Sequence, residues 1–432
     1  MIWNEARECM SRDELADLQG KRLVGLVEYM YHNVGYYSKK MKALGMEPGD
    51  IRGIEDLNKL PFTTKEDLLD AYPIGVFAVP DSKIVRYHAS DNVAGIGTVT
   101  GYTQNDLDVW SECVARSIGM AGLSKNDVIQ IAYSYDMYAN GLGAHYGAEK
   151  VGAAVIPASV SKIPELVTMM RKLHVTGIMS APSYLMRVAQ TVEQRGMGNT
   201  LQLKAAICGG EPWSEKTRKT IQEKLGIKVY DIFGLNELIG LGVAGECECQ
   251  NGMHVQEDFF LPEILDIHTL LSAADGVSGE LVFTALQKEG IPLIRFRTMN
   301  MTKIHYGKCE CGRTTARIDR ICKRTDDILL IRGNIVYMHR IEAAFSELPD
   351  MDAAYSVYIR KELDLDVVDV YMDSDKLNGT LMSGNEISIK NQVADVLYNV
   401  IGVMPRVHLA ESDRMKAPNG RKVTIVDERE FF

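Results

Sequence analysis

The 432 residues are 46% hydrophobic and 25% charged, an ordinary globular balance with enough apolar material for two or three domains. A net charge of −10 at pH 7 argues against a broad nucleic-acid-binding surface, which draws on a positive patch. No apolar run approaches the roughly 20 residues that span a bilayer, and residues 1–20 mix charges without an apolar signal core, so a cytoplasmic location is expected, with neither membrane nor nucleic acid as a partner.

The first strongly patterned region alternates short apolar runs with helical periodicity. Residues 128–135 read as a buried strand, 141–152 as a Gly/Ala-rich helix, 153–159 as a strand and 163–174 as a helix. The alternation continues with strand 177–182, helix 183–194, strand 203–211, helix 214–226 and strand 228–234. Such spacing predicts βαβ units and a parallel sheet flanked by helices. Ligands in these sheets bind at the carboxyl ends of the strands. That places Cys208, Gly209, Gly210 and Glu211, and Phe233, Gly234, Leu235, Asn236 and Glu237, at a candidate site.

Beyond residue 237 the texture changes. Runs 279–286 and 292–298 read as strands of a more antiparallel sheet, and the polar stretch 320–327 breaks the apolar pattern as a hinge would. Strands at 327–333, 353–360 and 366–372, a helix at 387–402 and a last strand at 423–429 predict a small, mobile α+β domain. The fold class is therefore α/β, with a large N-terminal domain followed by a small C-terminal one.

Eight cysteines are too few for a disulfide scaffold in a chain this long. Cys247 and Cys249 form one tight pair, Cys309 and Cys311 another, and His254 follows the first. In a reducing compartment thiolate pairs in Gly-containing turns, with a histidine, suit tetrahedral zinc. Cys247, Cys309 and Cys311 supply three ligands; His254 is the expected fourth, with Cys249 as its alternative. Four protein ligands leave no open position, so the zinc would be structural.

Several segments taken together resemble the phenylacetate–CoA ligases, a branch of the adenylate-forming, AMP-binding superfamily. They are residues 60–68, the run from Gly141 to Gly147, Gly209 to Trp213, Tyr230 to Glu237, Gly279 to Phe283, Arg295 to Thr298 and residues 326–333, in the family's order and spacing. The resemblance implies a domain boundary between residues 325 and 326, with Asp326 as the hinge. It implies ATP and AMP, Mg²⁺ and coenzyme A as cofactors, a small-molecule carboxylic acid and coenzyme A as partners, and a homodimer. Glu237 corresponds to the family's Mg²⁺-binding glutamate. Ser90, Gly209, Gly210, Glu211, Pro212, Asp231, Phe233, Gly234, Asn236, Asn300 and Arg324 fall on the nucleotide. Tyr135, Gly141, His145 and Tyr184 fall on the acyl pocket.

The chain also departs from the family. In the phosphate loop, Asp91 brings a negative charge, Val93 and Ala94 replace hydroxyls, and Ile96 replaces a lysine. Asn236 stands for Ser or Thr, Asn300 for the aspartate expected on the ribose, and Arg421 for the adenylation lysine. Arginine keeps the charge without the compact geometry of an ammonium. The leading expectation is AMP-forming ligation of an aryl or related acid to coenzyme A, with Glu237 and Arg421 as catalytic groups and with adenylation weakened or altered. The alternative is a degenerate or repurposed relative that binds a ligand or a partner.

Overall fold

In the computed structural model the alternating pattern folds as parallel strands Val128–Ala132, Ala154–Pro157, Gly177–Ser180, Ala205–Gly209 and Lys228–Leu235, joined by helices Ala139–Val151, Ile163–Lys172, Pro182–Gln194 and Glu215–Leu225. The structure describes all residues except 72–74, 90–97, 322, 326–327, 333, 347, 349–354, 364, 374–385, 411–422 and 430–432. Strands Gly177–Ser180 and Ala205–Gly209 are buried along their whole length, as strands covered on both faces must be. Four antiparallel strands extend the sheet on one side. Among the described residues it has nine strands, ordered Ile304–His305, Arg317–Ile318, Met253–Val255, Gly240–Glu246, Lys228–Leu235, Ala205–Gly209, Gly177–Ser180, Val128–Ala132 and Ala154–Pro157.

Two expected strands differ in extent, for local reasons. The strand at 128–135 stops at Ala132. Asp136 ends it with a side-chain turn, accepting from Ser134 Oγ at 2.7 Å and from the Tyr138 amide at 3.0 Å. The strand at 292–298 begins only at Phe296. Arg295 has a φ of 43°, and its guanidinium is drawn to Glu263 at 2.8 Å and to the carbonyl of Leu60 at 3.0 Å. The strand then pairs with Gly279–Ala285, which pairs in turn with Phe260–Leu265, all antiparallel as expected.

The described residues divide into two compact units: Met1–Ala181 with Val188–Gly210 and Ile221–Thr325, and Pro182–Arg187 with Glu211–Thr220 and Asp326–Phe432. In the second unit, strands Tyr355–Glu362 and Leu365–Asp373 form an antiparallel pair flanked by parallel strands Val423–Asp427 and Arg406–Ala410. Ile341, Phe345, Val357, Val370, Val393 and Leu397 lie in its core, the first two from helix Met338–Ser346 and the last two from helix Glu386–Ile401. Hairpin Ile328–Ile331/Asn334–Tyr337 extends an expected strand into a pair, and helix Met338–Ser346 and strand Arg406–Ala410 were not expected. No helix among the described residues is long and apolar enough to cross a membrane.

Candidate active site and metal-ligating cluster

The carboxyl ends of strands Ala205–Gly209 and Lys228–Leu235 lie side by side, with Gly209 opposite Ile232. A Cβ on Gly209 would fall 2.0 Å from the Ile232 carbonyl oxygen, and Gly210 has a φ of 87°, so both positions require glycine. The buried Tyr133 hydroxyl braces this strand end. It accepts from the Gly209 amide at 3.0 Å and donates to the Gly209 carbonyl at 3.2 Å.

Strand Lys228–Leu235 turns back into Gly240–Glu246 through residues 236–239. The Leu238 and Ile239 amides both close on the Leu235 carbonyl, at 3.1 and 3.0 Å. The carbonyls of Asn236 and Glu237 are served from outside the turn, by the Tyr102 hydroxyl at 3.2 Å and the Lys288 ammonium at 2.6 Å. Glu237 is buried, and its Oε1 accepts from Thr98 Oγ1 at 3.0 Å. Asn236 Nδ2 donates to the Ala89 carbonyl at 3.3 Å. Lys288 is 5% exposed, and burial pushes its pKa down to about 8 against the opposing pull of Asp106 and Glu237.

The other expected nucleotide residues form smaller groups. The Asp231 amide donates to Glu246 Oε2 at 2.7 Å, and its carboxylate lies 3.5 Å from Arg320 Nε. Phe233 stacks on Phe283 with ring centroids 6.3 Å apart, and Gly234 follows the irregularity that starts the turn. Arg324 Nη1 donates to Asn300 Oδ1 at 3.0 Å across paired strands. Asn300 is buried and its Nδ2 has no partner among the described residues, so the amide presents a donor where a carboxylate would present an acceptor. In the second unit the Ser183 amide donates to Glu211, whose carboxyl is raised by burial. Tyr184 is buried there and Pro212 half-buried. Ser90, Arg421 and Asp326 lie outside the described residues, as do Asp91, Val93, Ala94 and Ile96.

Of the residues expected at the acyl pocket, Gly141 is buried in the first turn of helix Ala139–Val151. His145 links Tyr135 to Glu149, with Nδ1 3.2 Å from the phenol oxygen and Nε2 3.1 Å from Oε1. Burial raises the Tyr135 phenol pKa, so the ring is a neutral hydrogen-bonding group. Sequence reasoning missed the roles of Tyr102 and Lys288 at the turn of residues 236–239. A lysine in Gln287-Lys288-Glu289-Gly290 reads as an exposed loop residue, and no local pattern marks it as buried.

The donor atoms of Cys247, His254, Cys309 and Cys311 all lie within 4.8 Å of one another. The Cys247 and Cys309 sulfurs are 3.8 Å apart, and Cys311 Sγ is 3.5 Å from His254 Nε2. The other ring nitrogen of His254 meets Thr315 Oγ1 at 3.0 Å, which aims Nε2 at the sulfurs. Hydrogen bonding from Cys247, then from His254 and Arg313, pulls the Cys311 thiol far down, while the same contact and burial push Cys247 up. Cys249 is half-buried beside this quartet and is not part of it.

The profile of the AMP-binding enzymes matches residues 138–286, and that of the AMP-binding enzyme C-terminal domain matches residues 333–429. The chain is 38% identical to a phenylacetate–coenzyme A ligase of Pseudomonas putida, over 98% of this chain and 96% of the relative. It is 41% identical to one of Thermus thermophilus, over 86% of this chain and 84% of that protein. The chain belongs to the phenylacetate–CoA ligase family. Among solved structures, 2-hydroxyisobutyryl-CoA ligase in complex with 2-HIB-AMP and CoA superposes with a TM-score of 0.88, at 24% identity, covering 99% of this chain and 92% of that one. The amide bond synthetase McbA of Marinactinospora thermotolerans superposes at 0.56, at 15% identity, covering 79% and 68%. At these identities the likeness concerns the fold. The turn carrying Glu237 and the tight strand end at Gly209 and Gly210 lie at the carboxyl ends of adjacent parallel strands, the end at which open α/β sheets generally bind ligands.

Proposed function

We propose that this chain ligates an aryl or related carboxylic acid to coenzyme A through an acyl-adenylate, releasing AMP and pyrophosphate. The observation that carries the proposal is the buried Glu237 beside a glycine-only strand end, in a chain that matches phenylacetate–CoA ligases along nearly its whole length. In the first step a carboxylate oxygen of the acid attacks the α-phosphorus of ATP, and the bond to the bridging oxygen breaks to release pyrophosphate. In the second, the thiolate sulfur of coenzyme A attacks the acyl carbon, and the bond to AMP breaks.

Glu237 suits Mg²⁺: it is a hard oxygen donor, and the Thr98 hydroxyl takes only one of the lone-pair sites its carboxylate offers. When bound, the ion withdraws charge from the phosphate oxygens. Gly209 and Gly210 let a flat base approach the backbone, and the donor face of Asn300 takes a sugar hydroxyl as acceptor. Tyr135 and His145 orient the acyl group. Arg421 supplies positive charge to the phosphates. The hinge at Asp326 and a homodimer belong to the same reading, as does a cytoplasmic location, where ATP and coenzyme A are held.

Structural zinc is part of the proposal. Bonds of about 2.3 Å to sulfur and 2.0–2.1 Å to nitrogen give tetrahedral edges of about 3.8 Å between sulfurs and about 3.5 Å between sulfur and nitrogen. The separations in the structure are 3.8 Å between Cys247 and Cys309 and 3.5 Å between Cys311 and His254.

The repurposed binding protein is not favoured, because the relatives matched over nearly the full chain are ligases. The proposal is tested by supplying the protein with ATP, Mg²⁺, coenzyme A and a panel of aryl acids. At least one acid should give thioester, AMP and pyrophosphate in equal amounts. Absence of ATP-dependent product across the panel would overturn the assignment.

A further inference from the structure

Residues 237–239 of the turn are buried, with Glu237 8% exposed and Leu238 fully covered, and Asn236 is half-buried. A buried carbonyl must find a donor. Two consecutive carbonyls of the turn, on Asn236 and Glu237, are taken by Tyr102 and Lys288. These two side chains also hold each other. The Lys288 ammonium lies 5.2 Å from the centre of the Tyr102 ring, and that ring stacks on Trp110 with centroids 5.2 Å apart. Trp110 Nε1 in turn donates to the Leu241 carbonyl at 2.9 Å, just past the turn. The loop that carries Lys288 is pinned to the same helix as Trp110, because Asp106 accepts from the Glu289 and Gly290 amides at 2.7 and 2.9 Å.

A neutral amide would satisfy one carbonyl at a lower desolvation cost than a buried ammonium. Lysine adds a positive charge directly behind the main chain of the residue whose carboxylate faces the nucleotide. We propose that Lys288 and Tyr102 are positioning residues that clamp consecutive carbonyls of the turn and so fix where the Glu237 carboxylate meets its cation. Neither side chain touches the reacting atoms; both act through Glu237. The inference rests on the ligase reading in one respect only, that Glu237 serves a metal–nucleotide complex.

The test uses Lys288→Met and Tyr102→Phe in the full chain, with two measurements. The first is hydrogen–deuterium exchange in the protein without nucleotide. Each variant should exchange the amides of residues 236–243 about tenfold faster than wild type, as expected when a contact of roughly 1.4 kcal/mol is lost, while segments far from the turn are unchanged. The second is calorimetric titration with ATP, with and without Mg²⁺. The Mg²⁺-dependent gain in ATP affinity should shrink by about tenfold in Lys288→Met, with the affinity for metal-free ATP held. Local exchange and the Mg²⁺-dependent gain both at wild-type values would overturn the proposal. So would a loss of protection spread over the whole unit, which would make Lys288 a general packing residue. If Lys288→Met does not fold, Tyr102→Phe decides by the same two readouts. A wild-type protein that gains no ATP affinity from Mg²⁺ would overturn the ligase reading instead, and the exchange measurement would still decide the clamp.

Discussion

Replacing Tyr133 by Phe removes one oxygen and two buried hydrogen bonds, at 3.0 and 3.2 Å, from a single residue of the strand end. The Gly209 amide is left without its acceptor, and the Gly209 carbonyl without its donor, in a strand that is buried throughout. Each buried group orphaned this way costs about 1–3 kcal/mol, and together they should cost roughly 2–4 kcal/mol. For a unit of this size that corresponds to a fall in Tm of about 3–6 °C. The effect on ligand binding is separate. The phenol fixes the segment that approaches the base, so AMP affinity should fall about tenfold, or roughly 1.4 kcal/mol. Scanning calorimetry reads the first quantity and AMP titration reads the second. A variant that melts within about 1 °C of wild type and binds AMP equally well would show that Tyr133 does not brace the site.

Cys309→Ser should lower bound zinc from one per chain to a trace by elemental analysis and destabilise the first unit, since metal binding contributes folding free energy; unchanged metal content would refute the ligand set. The pKa of Lys288, depressed to about 8, predicts a pH dependence of stability. Between about 8 and the ordinary lysine value of 10.5 the unfolded chain holds a proton that the folded chain lacks, so stability rises with pH through that window and is lost as pH falls back towards 8. Urea unfolding at pH 7.5 and 9.5 should show about 2 kcal/mol more of this rise in wild type than in Lys288→Met, and equal slopes would contradict it. Arg421→Lys should raise the rate of pyrophosphate release several-fold, because an ammonium places its charge more compactly than a guanidinium; a slower variant would show that the site has adapted to arginine.

The parallel core was legible because its signal is local. Each strand from Val128–Ala132 to Lys228–Leu235 is a short apolar run set between amphipathic helices, and the pleat and the 3.6-residue period can be counted along the chain. The cluster of three cysteines and a histidine could be anticipated because Cys and His have few other reasons to gather, and His254 lies within the group with Cys249 beside it. What could not be read depends on contacts distant in sequence. Lys288 meets Glu237 across 51 positions and Tyr133 meets Gly209 across 76. Arg295 leaves the strand pattern because Glu263 and the carbonyls near residue 60 capture its guanidinium. Strand Arg406–Ala410 is half-exposed and mixes Arg406 and His408 with aliphatic residues, so neither period stands out.

The central claim is that the acid is activated as an adenylate on this chain. The direct measurement supplies the wild-type protein with ATP, Mg²⁺, coenzyme A and an aryl acid labelled with ¹⁸O in both carboxylate oxygens, and follows the label by mass spectrometry. Attack of the carboxylate on the α-phosphorus predicts one labelled oxygen in each AMP released, in step with thioester. Thioester formed with unlabelled AMP, or with the label in inorganic phosphate, would contradict the account.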